Sequence, residues 1–199
     1  MAAHEAGAMH APGYGGVAVV PAWLRPPTDA NVLLPALWSG SVRRRGDGVL
    51  EVGGVDVATL AAEFGTPAYV LDERDFRDRA RSFAEAFADA FDGLGGAAVH
   101  YASKAFTCTA VVRWLVEDGL GIDVCSEGEL AVALRGGMPA ERVTLHGNNK
   151  SDAELERALR AGVGRVVLDS LAEVDRVADL AATLGIRAGV LLRVTVGVE

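Results

Sequence analysis

From Val49 onward the apolar positions fall into short runs separated by longer stretches of helical spacing. Val49-Leu50-Glu51-Val52 and Val55-Asp56-Val57 flank Gly53-Gly54, the pattern of a small hairpin. A short helix is predicted near Thr59–Phe64, stopped at Gly65. Ala68–Leu71 reads as a short apolar strand. Glu73–Phe91 reads as a helix with Phe76, Ala80, Phe83, Phe87 and Phe91 along one side, a stripe suited to core packing. Strand-like runs then recur at Ala97–Ala102, Gly121–Val124, Arg142–Leu145, Val166–Leu168 and Val190–Val194, with helical stretches between them.

The joints support this alternation. Ser126 with Glu129, Ser151 with Glu154, and Ser170 with Glu173 have the S-x-x-E spacing of a capping box, each just after an apolar run. The strands are uninterrupted apolar runs, as in a parallel sheet covered by helices. The fold class is therefore α/β. Both an open doubly wound sheet and part of a (β/α)8 barrel fit, but no glycine fingerprint marks the first βα turn of a dinucleotide fold. A whole barrel takes about 250 residues. The expectation is a partial TIM-type barrel in a piece of a longer protein, arranged as an irregular leader (1–40), a hairpin and short-helix segment (41–66) and the first part of the barrel (67–199).

Composition narrows the classes. Half of the 199 residues are apolar and 23% are charged, which excludes a disordered or collagen-like chain. A net charge of −8 offers no overall positive field to nucleic acid or an anionic membrane. Two cysteines, Cys108 and Cys125, are too few for a disulfide framework and suit a reducing cytosol; Cys125 reads as a small apolar residue in a strand. Neither they nor the four histidines have metal-ligand spacing. Gly13-Tyr14-Gly15-Gly16 follows no strand and reads as flexible leader, and Val17–Leu24, broken by Pro21, is too short to span a bilayer. A soluble, cytoplasmic protein is expected.

Chemistry in parallel α/β folds collects where strands end and helices begin. Those positions hold Lys104, Asp123, His146, Asp169 and Arg193. There are only two lysines, Lys104 and Lys150. Strand alternation puts His100, Ala102 and Lys104 on one face; facing into a barrel, Lys104 would be a desolvated, nucleophilic amine, and otherwise a snorkelling surface lysine. Asp123 reads either as a carboxylate that orients the lysine or a cofactor, or as a cap of the next helix. His146, in His146-Gly147-Asn148-Asn149-Lys150-Ser151, reads either as a cofactor contact or as a loop brace. Arg193 interrupts an apolar strand, so a buried guanidinium would need an anionic ligand or a carboxylate such as Asp123. Asp169 precedes the cap Ser170 and reads as structural.

Tyr101-Ala102-Ser103-Lys104-Ala105-Phe106 resembles the Y-A-x-K-A segment of fold-type III pyridoxal-phosphate decarboxylases. Gly119–Leu130, the H-G-N-N-K-S loop and Phe64-Gly65-Thr66-Pro67-Ala68-Tyr69-Val70-Leu71-Asp72 resemble the diaminopimelate decarboxylase family in particular, collinearly from about Leu33 to Glu199. The resemblance implies an alanine-racemase-like barrel with a β-domain, pyridoxal 5'-phosphate as cofactor, conversion of meso-2,6-diaminopimelate to L-lysine, and a homodimer when full length. It also implies Lys104 as the Schiff-base lysine, with Asp123, His146 and Arg193 around the cofactor. The family's stacking histidine, glycine-rich phosphate loop, glutamate at the pyridine nitrogen and cysteine-containing motif are expected beyond Glu199. Rival readings are another decarboxylase of this fold, acting on ornithine or arginine, and a non-catalytic pyridoxal-phosphate-binding or pseudoenzyme fragment.

Overall fold

The computed structural model describes residues 29, 31–35, 37–194 and 197. The leader up to residue 28, with Gly13–Gly16 and Val17–Leu24, lies outside the described residues, as do Thr195, Val196 and Val198.

A three-stranded antiparallel sheet comes first, from β1 (Arg43–Arg44), β2 (Leu50–Val52) and β3 (Val55–Asp56). The β2–β3 hairpin turns on Gly53 and Gly54 at φ 59° and 82°, the left-handed values that a two-residue type I′ turn demands. Asp56 then caps α1 (Val57–Phe64) by accepting from the Ala58 and Thr59 amides. Ala68–Leu71, predicted as a strand, is exposed coil instead. No strand among the described residues pairs with it, and an apolar run without a ladder partner has nothing to hold it extended.

Helix α2 (Glu73–Ala90) leads to the second sheet. Its members are β4 (His100–Ala102), β5 (Gly121–Val124), β6 (Val143–Leu145), β7 (Arg165–Leu168) and β8 (Val190–Leu192), joined by α3 (Thr109–Glu117), α4 (Glu127–Arg135), α5 (Asp152–Ala161) and α6 (Leu171–Leu184). All pairs are parallel, and the spatial order is the chain order. A doubly wound sheet would reverse that order partway; steady one-way winding is how a barrel grows. Alternation along each strand separates the two faces. Ile122, Val124, Val143, Leu145 and Val166 are sealed in a core with Val111, Val112, Leu115, Leu130 and Leu155 from the helices. Asp123 lies on the opposite face and is half-buried.

The aromatic stripe of α2 is divided. Phe76 and Ala80 pack on the core, with Phe76 edge-on to Tyr101 at 5.2 Å, whereas Phe83, Phe87 and Phe91 are exposed among the described residues. The β8 strand is likewise exposed along its length. Arg77 docks α2 against the end of α3 with two bonds to Asp118, at 3.0 and 2.8 Å. That guanidinium holds the Asp118 carboxyl below the usual carboxylate range, against the opposing effect of burial. A depressed carboxylate contributes stability that is present above its unfolded-state pKa and is lost as pH falls through its folded-state value. Arg77→Met should therefore move the acid-unfolding midpoint to higher pH, as followed by circular dichroism. An unchanged or lower midpoint would contradict this account.

Candidate functional site

The open face of the parallel sheet collects polar side chains along β4, β5 and β6 and from the loop after β6. Asp123 stands third in β5, in register with Ala102 of β4 on one side and Thr144 of β6 on the other. Its two carboxylate oxygens face two imidazoles: Oδ1 lies 3.2 Å from His100 Nδ1, and Oδ2 lies 3.4 Å from His146 Nε2. Thr144 Oγ1 lies 3.2 Å from the same His100 nitrogen. The His100 ring occupies space that only glycine leaves open, since a Cβ on Gly121 would stand 2.6 Å from His100 Nε2. These side chains, with Glu141, Arg165 and Leu191, line an open cleft of about 500 Å³.

Lys104 lies beyond the end of β4. The strand stops at Ala102, and Ser103–Ala105 form a 3-10 turn, so the alternation that would set Lys104 on the His100 face is lost. Ser103 turns inward instead, donating at 2.6 Å to Glu129, and Lys104 is exposed at the rim. Among the described residues it makes no hydrogen bond or ion pair. Lys150 is the opposite case: it is buried, and its ammonium donates to the Gly147 carbonyl at 2.5 Å, the Val167 carbonyl at 2.8 Å and Glu173 at 3.0 Å. Cys125 is not within β5 but follows it, and the residue is exposed. Desolvation of its sulfur and then the Glu129 carboxylate push its thiol up, with the Lys104 charge opposing.

The caps differ from the expected boxes. Only Ser151 and Glu154 form the full reciprocal pair, which holds the Glu154 carboxyl below its usual range through the Ser151 amide and hydroxyl. Ser126 and Ser170 cap their helices, but Glu129 accepts from the Cys125 amide and Ser103, and Glu173 from the Asp169 amide and Lys150. Each of these two carboxylates thus ties its helix to the loop after the preceding strand. Asp123 caps no helix, since Ser126 does so.

Arg193 is not buried. It follows β8 with its side chain mostly exposed, and it pairs with Asp169 at 3.3 Å rather than with Asp123. The apolar run around it is itself exposed, so no desolvation presses the guanidinium toward the sheet face. The structure therefore brings Asp123 and His146 together, adds His100 and Thr144, and leaves Lys104 and Arg193 apart along the same rim. Thr144 had a legible signal: in Val143-Thr144-Leu145 it is the one polar side chain on the face opposite two core residues. The reach of Glu129 and Glu173 across to a neighbouring loop had none.

Comparison with known proteins follows the same lines. Residues 74–199 match the family model described as pyridoxal-dependent decarboxylase, pyridoxal binding domain. The chain is 48% identical over 199 residues to a diaminopimelate decarboxylase of Mycobacterium leprae, covering all of this chain and 41% of that protein. It is 48% identical over 160 residues to one from Bacillus subtilis, covering 80% of this chain and 36% of that one. It thus spans about two fifths of the length of the curated relatives it matches. Among solved structures, a diaminopimelate decarboxylase from M. jannaschii in complex with L-lysine superposes with a TM-score of 0.73 at 31% identity, over 78% of this chain and 36% of that one.

Proposed function

Since the chain belongs to the pyridoxal-dependent decarboxylase family, we propose that it is the N-terminal, cofactor-holding part of an enzyme that decarboxylates meso-2,6-diaminopimelate to L-lysine. Residues 67–199 form the first part of the barrel in this reading, behind the leader (1–40) and the hairpin segment (41–66). The observation that carries it is the contrast between the two lysines. Lys104 offers an uncommitted amine at the strand-end rim, whereas Lys150 has every donor engaged. That donor set fits an aldehyde cofactor at Lys104. The identity to diaminopimelate decarboxylases over the whole chain supports the substrate.

Pyridoxal phosphate, when bound, supplies a ring that takes up the electrons released as carbon dioxide leaves. The remaining work falls to side chains of the protein. Lys104 would hold the cofactor through its amine, and the same Nζ would be available to carry a proton. Asp123 stands between two rings, 3.2 Å from His100 Nδ1 and 3.4 Å from His146 Nε2, and so orients His146. His146 would present a flat ring to the cofactor, and Arg193, which pairs with Asp169 at 3.3 Å, would have to turn from that partner to offer its guanidinium to an anionic oxygen. A homodimer of the full-length protein and a cytoplasmic location belong to the proposal through the family resemblance. No helix among the described residues is long and apolar enough to cross a membrane.

Borohydride reduction of the full-length protein with pyridoxal phosphate, followed by peptide mass mapping, tests the reading. Between the chain's two lysines the pyridoxyl group is expected on Lys104 alone. Labelling of both lysines or of neither would refute the cofactor site, and would favour a non-catalytic chain. Release of lysine from diaminopimelate, with ornithine and arginine untouched, checks the substrate; the opposite preference would select the rival decarboxylase.

A further inference from the structure

Lys150 and Glu173 are a buried ion pair with no part in the chemistry above. Lys150 is 4% exposed and Glu173 3%, with 3.0 Å between Nζ and Oε2. Such a pair is a poor device for stability, because two apolar residues of equal volume usually serve as well. What distinguishes this one is where its hydrogen bonds go. The three donors of Lys150 reach three different elements: the Gly147 carbonyl in the loop after β6, the Val167 carbonyl in β7, and Glu173 in α6. Glu173 Oε2 is fixed in turn by the Asp169 amide at 2.9 Å.

The loop held in this way is the one that carries His146. The His146 amide donates to the Val124 carbonyl at 2.7 Å, so the residue is pinned on its N-terminal side by β5. On its C-terminal side Gly147 adopts φ +114°, a region that residues with a side chain rarely enter. Glycine is the residue that this conformation calls for, and its carbonyl is the group Lys150 holds. We propose that Lys150 and Glu173 are positioning residues that set His146 against Asp123 by clamping the Gly147 carbonyl. This deepens the functional reading above and rests on it for the role of His146. The ammonium is the clamp, and Glu173 is the counter-charge that lets an ammonium sit there.

The test separates positioning from stability. In the full-length protein, Lys150→Met leaves Glu173 buried without its partner and should lower the melting temperature. The double variant Lys150→Met/Glu173→Leu buries no charge, so its melting temperature should return close to that of the parent. The clamp is nevertheless gone. The His146 ring resonances, read in protein labelled with 15N-histidine, should shift in the double variant. The dissociation constant for pyridoxal phosphate should rise by about tenfold or more, the scale on which removal of a supporting residue weakens a bound group at a metal site. A double variant with the parent's melting temperature, His146 resonances and cofactor affinity would overturn the proposal. If the double variant does not fold, Lys150→Met, kept below its own unfolding temperature, carries the same two readouts with the same meanings. Loss of cofactor binding by the parent itself would refute the functional reading, while the His146 resonances would still decide the positioning.

Discussion

Lys104→Ala in the full-length protein is expected to lower kcat/KM for diaminopimelate by on the order of 10³-fold or more, within or beyond the range of a single positioned proton-transfer group. Melting temperature should barely change. The asymmetry follows from the surroundings of the side chain. Lys104 is exposed on a 3-10 turn and holds no partner among the described residues, so its removal breaks no contact. Surface substitutions of that kind stay within about 0.5 kcal/mol. Its neighbours keep their own bonds, Ser103 to Glu129 and the Cys125 amide to the same carboxylate, so the turn retains its shape. Steady-state kinetics beside a melting curve checks both halves. An alanine variant with a tenth or more of the parent's activity would remove Lys104 from the chemistry. A variant that melts many degrees lower would show that the lysine is structural.

The second large effect is on stability. Ile122→Ala should cost about 2–5 kcal/mol, because deleting a fully buried aliphatic side chain loses its transfer free energy and leaves a cavity. Ile122→Val removes one methylene and should cost about 0.5–1.5 kcal/mol. Ile122 is sealed beneath the helices while its neighbour Asp123 points to the open face, so the core residue sets the height at which the carboxylate stands. Urea denaturation of the two variants measures the series. A loss under about 1 kcal/mol for the alanine variant would mean that the sheet relaxes into the space, contrary to the close packing described here.

Much of the architecture was legible in the residues. The strand at Gly121–Val124 has the predicted bounds, and the Gly-Gly hairpin and the serine caps after β5, β6 and β7 are where their local chemistry places them. Each depends on contacts only a few residues apart. Asp123 and His146 were legible as strand-end positions, and the structure brings them within 3.4 Å of each other. The errors are of a different kind. Ala68–Leu71 has the composition of a strand without a partner strand, and Phe83, Phe87 and Phe91 have the spacing of a core face that no described element covers. Arg193 was expected in a buried strand, but β8 is exposed and the guanidinium goes to Asp169.

The sequence alone determined the order of βα units, the helix starts and the short list of strand-end groups, because propensity, capping and alternation act within one turn or one strand. It also carried the resemblance to a decarboxylase family, through motifs that are contiguous in the chain. The tertiary structure decided what those groups touch. Asp123 and His100, 23 positions apart, meet only because β4 and β5 pair side by side, and Lys150 and Glu173, likewise 23 apart, meet because parallel strands bring successive βα joints to one edge. Lys104 and Lys150 look alike as letters, yet one is exposed and unengaged and the other is buried with three partners. Burial and hydrogen-bond partners are properties of the packed sheet, and they distinguish a lysine available for chemistry from one that holds a loop.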